Sequence, residues 1–277
     1  MRERLLLLDF DGTLCLGDDP VLFYAEQADR LLAEKGQGLP GGGIRAAVGR
    51  AFEQNTLLVP EIRFHDAGHP VGVDQEPVRS QGTAAAKAKA HPLSWPLQDG
   101  YQLVQLLAVQ SGLSDEEAGT AFREGRRALL ARGLEHSDVH APDGAGTLLA
   151  ELREEAGVVL ITNSPAEAFT PWLEHLGLAG AFDAVINGAR KPFGMPAAVQ
   201  AAQEQAGVVH PDPGGAPSAL VSVGDIWRND LDHVDALGGT TVLIDRFSTG
   251  LGTPTHRVQS WDGAAEALER CFRVNIG

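Results

Sequence analysis

Leu5-Leu6-Leu7-Leu8-Asp9-Phe10-Asp11-Gly12-Thr13 is the stretch that decides the fold. Four consecutive leucines, closed off by polar residues, predict a strand buried on both faces, as in a parallel sheet. The polar residues then stand where the chain leaves the sheet. Ligands of open parallel sheets bind outside the carboxyl ends of the strands. Residues i and i+2 of an extended chain point to one side, so Asp9 and Asp11 are expected to face the same space.

Downstream, Asp19 reads as a helix N-cap with Pro20 at the first helical position. Val21, Leu22, Ala25, Ala28, Leu31 and Leu32 follow at helical spacing, and Gly36 closes the pattern. Residues 36–43 are a glycine-rich turn, and 44–55 predict a second helix. Residues 59–96 show no clear period and carry five prolines, which predicts a long loop. Helical pattern returns over 97–110 and again over 114–132, where Ser114-Asp115-Glu116-Glu117 is a capping-box signature.

From about residue 142 apolar runs alternate with helical patterns. Strands are expected at 158–161, 184–186, 220–223 and 241–244, and helices at 166–176, 196–205 and 229–237. That alternation implies an α/β fold with a parallel sheet. The expected organisation is an α/β core from residues 1–14 and 141–277, interrupted by a mainly helical insertion over 15–140.

The ends of the strands collect reactive groups. Thr162-Asn163-Ser164 follows the second strand, Lys191-Pro192 precedes the helix after the third, and Gly224-Asp225 follows the fourth, with Asn229-Asp230 five residues on. Four carboxylates, Asp9, Asp11, Asp225 and Asp230, would meet one hydroxyl and one ammonium. Two unit charges 4 Å apart repel by roughly 4 kcal/mol at an effective dielectric of 20, so such a cluster calls for a cation. Oxygen ligands suit a hard ion such as Mg²⁺ that shares its shell with phosphate. One carboxylate can attack while another handles the proton. Lys191 can neutralise both nucleophile and phosphate. Thr162, with Asn163 beside it, can hold phosphoryl oxygens.

These four segments, in this order, resemble the motifs of the haloacid dehalogenase superfamily in its phosphatase branch. Asp9-Phe10-Asp11-Gly12-Thr13 matches the first motif, Thr162 the second, Lys191-Pro192 the third, and Gly224-Asp225 with Asn229-Asp230 the fourth. The resemblance implies a three-layer, Rossmann-like core with strand order 5-4-1-2-3 and a helical cap inserted after the first motif. It implies Mg²⁺-dependent hydrolysis of a small phosphomonoester. Asp9 would be nucleophile and metal ligand, and Asp11 general acid/base with its backbone carbonyl on the metal. Asp225 would be the main ligand of the fourth motif. Asp230 would bind the metal directly, through water, or orient Lys191 instead. A phosphomutase shares these motifs. A dehalogenase needs neither the second aspartate nor a metal, so Asp11 and Asp225 argue against it. A non-catalytic receiver-like module would lack the long insertion.

The 277 residues include 37 acidic and 22 basic side chains, a formal net charge of −15. Such a surface repels nucleic acid and anionic membranes. Two cysteines make no disulfide framework, and the apolar run after Arg2 and Arg4 is too short for a secretory segment, so a cytoplasmic protein is expected. The expected partner is a small phosphorylated metabolite, for a monomer or homodimer. His65 and His69 read as exposed loop histidines, Arg45 and Arg63 as surface groups, and Trp95, Trp172 and Trp261 as packing residues. Trp227 reads as a packing residue too, with lining an entrance as the alternative that its place inside the fourth motif allows.

Overall fold

A computed structural model describes residues 2–66, 69–73, 97–208 and 220–273. In chain order the elements are β1 (Leu5–Leu8), α1 (Asp19–Glu34), α2 (Gly43–Glu53), α3 (Gly100–Ser111), α4 (Asp115–Arg132), α5 (Ala145–Leu152), β2 (Gly157–Ile161), α6 (Thr170–His175), β3 (Ala184–Ile186), α7 (Met195–Gln205), β4 (Leu220–Gly224), α8 (Asp232–Ala236), β5 (Thr240–Ile244), β6 (His256–Val258) and α9 (Trp261–Arg273). A π turn, Trp227–Leu231, precedes α8. Much of the loop expected over 59–96, with Trp95, lies outside the described residues. The chain divides into two compact units, Met1–Leu16 with His140–Gly277, and Gly17–Val139.

The first unit is a Rossmann-like α/β fold. Its sheet is parallel throughout, in the order β3-β2-β1-β4-β5-β6. This differs from the expected five-stranded order. Read from the other edge it is 6-5-4-1-2-3, with β6 added outside β5. No apolar run announces β6, which is three residues long and carries His256 and Arg257.

β1 lies at the centre, between β2 and β4, and its four leucines are at most 1% exposed. Leu5 and Leu7 join one core cluster with Val159, Ile161 and the α7 stripe Met195, Ala198, Val199 and Ala202. That stripe has i, i+3, i+4, i+7 spacing, so one face of α7 covers one face of the sheet. Leu6 and Leu8 point the other way and are equally buried. Each such leucine contributes about 2 kcal/mol by leaving water.

The second unit is helical, with α1 packed on α2, α3 and α4. Tyr24, Tyr101 and Phe122 form an aromatic cluster there, with Tyr24 edge-on to Phe122 at 5.7 Å. The Ser114–Glu117 capping box is formed as expected. The start of α1 departs from expectation. Asp19 is its first residue rather than its cap, and Asp18 makes no side-chain cap bond. Instead the Asp138 carboxylate accepts from the N–H groups of Asp18 and Asp19 at 2.7 and 3.0 Å. A cap supplied from 120 residues away leaves no local signature.

The helices at 166–176 and 229–237 depart from expectation. The first is only α6, and the second is divided between the π turn and α8.

Candidate active site

Register sets the site. Leu8 pairs with Leu160 on one side and Val223 on the other, so the three central strands end level. The Asp9 N–H extends the ladder to the Val223 carbonyl at 2.9 Å, and the Thr162 N–H reaches Ile186 at 2.9 Å. Asp9, Thr162 and Asp225 therefore emerge at one edge, and all three are buried.

Lys191 reaches the same edge from the loop between β3 and α7. The Asn163 side chain grips its backbone. Oδ1 accepts from the Lys191 N–H at 2.7 Å, and Nδ2 donates to its carbonyl at 3.2 Å. The Lys191–Pro192 peptide is cis. The Lys191 Nζ donates to Asp9 Oδ1 at 2.5 Å, Asp230 Oδ1 at 2.6 Å and the Ile161 carbonyl at 2.9 Å. An ammonium has three donors, and each is used. With the Lys191 and Asp230 side chains 3% exposed and that of Asp9 9% exposed, this ion cluster is screened very little.

Asp230 is carried by the π turn, a feature frequent at functional sites. Its Oδ2 accepts from the Ile226 N–H at 3.0 Å, and Ser222 Oγ donates to its backbone carbonyl at 2.8 Å. Two glycines make room for the acids. A Cβ on Gly224 would stand 2.4 Å from the Asp230 Cβ. A Cβ on Gly12, whose φ is +83°, would stand 2.1 Å from Asp225 Oδ2. Gly12 is thus required twice, for the left-handed turn and for the carboxylate beside it.

One carboxylate oxygen from each of Asp9, Asp225 and Asp230 lies within 4.8 Å of the others. Three carboxylates against one ammonium leave two negative charges uncompensated when all are ionised. Burial, reinforced by the negative charge on Asp230, pushes the Asp9 carboxyl up to about 7 against the pull of Lys191. Burial disfavours the Lys191 ammonium, but Asp230 and Asp9 outweigh it and raise its pKa. The two shifts pull the Asp9–Lys191 pair in opposite senses. The contact geometry, with every Lys191 donor on an oxygen, favours the charged lysine. An all-oxygen donor set with a two-charge deficit fits one hard divalent cation.

Asp11 is half-buried, and its carboxylate is turned toward the second strand end. There Ser164 Oγ donates to Asp11 Oδ2 at 2.6 Å. Thr162 Oγ1 accepts from the Ser164 N–H at 3.0 Å, and Thr13 Oγ1 donates to Asp9 Oδ2 at 3.3 Å. The Asn163 side chain, expected toward phosphate, is engaged with the Lys191 backbone. Sequence reasoning named Ser164 only as part of a strand end, and nothing local marks its pairing with a residue 153 positions away.

Other candidates settle elsewhere. Gln110 ties Arg63 at backbone and guanidinium, and Arg45 faces Glu26 at 3.7 Å on the surface. His65 and His69 lie ring against ring at 5.2 Å. Among the described residues only Asp9, Asp225 and Asp230 form a cluster able to hold a metal. Trp172 packs edge-on to Phe10, Trp261 is buried at the start of α9, and Trp227 lies against Gly252. No described helix is long and apolar enough to cross a membrane.

A family model described as haloacid dehalogenase-like hydrolase matches residues 3–232. The search of curated proteins found no match. Solved structures share the fold at low identity. A haloacid dehalogenase-like family protein from Streptococcus pneumoniae superposes with a TM-score of 0.53 at 14% identity, over 96% of this chain and 98% of that one. A predicted phosphoglycolate phosphatase from Haemophilus somnus gives 0.52 at 14% identity, over 97% and 99%. A HAD-hydrolase from Bacillus subtilis, bound to magnesium, gives 0.50 at 15% identity, over 97% and 100%.

Proposed function

The chain belongs to the haloacid dehalogenase-like hydrolases, and on that footing we propose that it is a Mg²⁺-dependent phosphatase acting on a small phosphorylated metabolite through a phospho-aspartate on Asp9. The observation that carries this reading is Lys191 bonded to both Asp9 and Asp230 within the acid cluster that includes Asp225. A lone nucleophilic carboxylate would need the lysine alone. The further carboxylates suit a cation, which in turn suits a phosphate, and this argues against dehalogenation.

Asp9, Asp225 and Asp230, with the Asp11 backbone carbonyl, would hold Mg²⁺. When bound, the ion offsets the charge of the acids and of the phosphoryl group. Asp9 Oδ attacks phosphorus in line, and the bond to the leaving oxygen breaks. Asp11 gives its proton to that oxygen. Asp11, now ionised, takes a proton from a water that attacks the phospho-aspartate, and Asp9 is regenerated with release of phosphate. Lys191 holds the Asp9 carboxylate and offsets charge on the phosphoryl oxygens. Thr162 Oγ1 and backbone N–H groups beside it, Asn163 included, donate to those oxygens. We further propose that residues 15–140 serve as the cap that selects the leaving group.

The test is release of inorganic phosphate from an aryl phosphate with Mg²⁺, followed by a panel of phosphorylated metabolites. Absence of turnover on every compound would favour a non-catalytic binding module. Interconversion of sugar phosphates without phosphate release would favour a phosphomutase.

A further inference from the structure

Ser164 has no place in the reaction just described, yet it is fully buried and 2.6 Å from Asp11. Three hydrogen bonds fix its backbone. Its N–H donates to Thr162 Oγ1 at 3.0 Å, and its carbonyl accepts from the Gly188 N–H at 3.0 Å and Asn187 Nδ2 at 3.2 Å. The hydroxyl is therefore held by the end of β2 and the turn after β3, while Asp11 belongs to the loop after β1. A hydrogen bond between these two loops restricts rotation of the Asp11 carboxyl.

A hydroxyl both donates and accepts, so it can hold a carboxyl group in either protonation state. That is the requirement for a group that first gives and then takes a proton. The bond of this buried hydroxyl to Asp11 points to that contact as its purpose.

We propose that Ser164 is a positioning residue that aims the Asp11 carboxyl at the leaving-group oxygen. This rests on the phosphatase reading above. Its consequence is selective. Proton donation matters most when the leaving group is a poor one, so misdirecting Asp11 harms poor leaving groups more than good ones.

The experiment measures kcat/KM for substituted phenyl phosphates of graded leaving-group acidity, in the full-length wild-type protein, Ser164→Ala and Ser164→Thr. Ser164→Ala loses about tenfold to a hundredfold on phenyl phosphate and much less on the most acidic nitrophenol, so the dependence on leaving group steepens. Ser164→Thr, which keeps the hydroxyl, retains the wild-type slope. In an Asp11→Asn background, Ser164→Ala leaves the slope unchanged. An equal fractional loss across the series, or no loss, overturns the proposal. Should the alanine variant be poorly folded by circular dichroism, Ser164→Cys, a weak donor of similar volume, is read the same way. Failure of the underlying reading looks different, because wild type would then cleave no member of the series, or Asp9→Asn would cleave them all.

Discussion

Asp230 Oδ1 stands 2.6 Å from Lys191 Nζ, with both side chains 3% exposed, so the last acid of the fourth motif is bonded to the lysine of the third. The sequence left open whether Asp230 binds metal or orients Lys191. Its carboxylate holds Lys191, and one of its oxygens also lies within 4.8 Å of oxygens from Asp9 and Asp225.

Removing one partner of a buried ion pair strands the other. Asp230→Ala is expected to lower the unfolding free energy by about 3–5 kcal/mol, read by urea denaturation. Asp230→Asn keeps the volume and the Ile226 contact, so it should lose less stability while still lowering phosphatase activity.

Gly224→Ala and Gly12→Ala add a single methyl group each. The first would meet the Asp230 side chain at 2.4 Å, and the second the Asp225 carboxylate at 2.1 Å. Both variants are expected to bind Mg²⁺ at least tenfold more weakly by isothermal titration calorimetry. Wild-type affinity in either would mean that the acids do not need the space these glycines leave.

Asp183 lies before β3 and accepts from Arg153, from the Val158 N–H and, as an ion pair at 2.8 Å, from Arg2. Burial opposes its charge, but the Arg153, Val158 and Arg2 hydrogen bonds prevail and hold its pKa below the usual carboxylate value. A depressed folded-state pKa gives stability that is present above the ordinary carboxylate pKa and lost as pH falls through the depressed one. Asp183→Asn should therefore lower Tm at pH 7, and the gap to wild type should close as pH falls below about 4. A gap independent of pH would show that the charge contributes nothing.

Chelation supplies a further check. EDTA is expected to abolish phosphate release, and Mg²⁺ to restore it. Activity indifferent to chelation would return the dehalogenase as the better reading.

The sequence made the sheet legible wherever burial on both faces forced a continuous apolar run. Leu5–Leu8 and the cores of β2, β4 and β5 were anticipated in this way, and Ala184–Ile186, a half-buried edge strand, was anticipated because its three residues are all apolar. β6 escaped because His256-Arg257-Val258 makes no apolar run, and α9 and the π turn were not foreseen. At the site, residue types and their order located Asp9, Thr162, Lys191, Asp225 and Asp230 at one sheet edge. What remained hidden were contacts between distant loops. Asp138 on the start of α1, Asn163 on the Lys191 backbone and Ser164 on Asp11 are side-chain choices that only folding brings together.

Turnover by Asp9→Asn tests the central claim most directly. The substitution keeps size and shape beside Lys191 and removes the nucleophilic oxygen. With saturating Mg²⁺ and an aryl phosphate, the variant is expected to keep the wild-type circular dichroism spectrum and to lose at least about a thousandfold in kcat. A folded Asp9→Asn protein that releases phosphate at a rate near wild type, and still requires Mg²⁺, would contradict it.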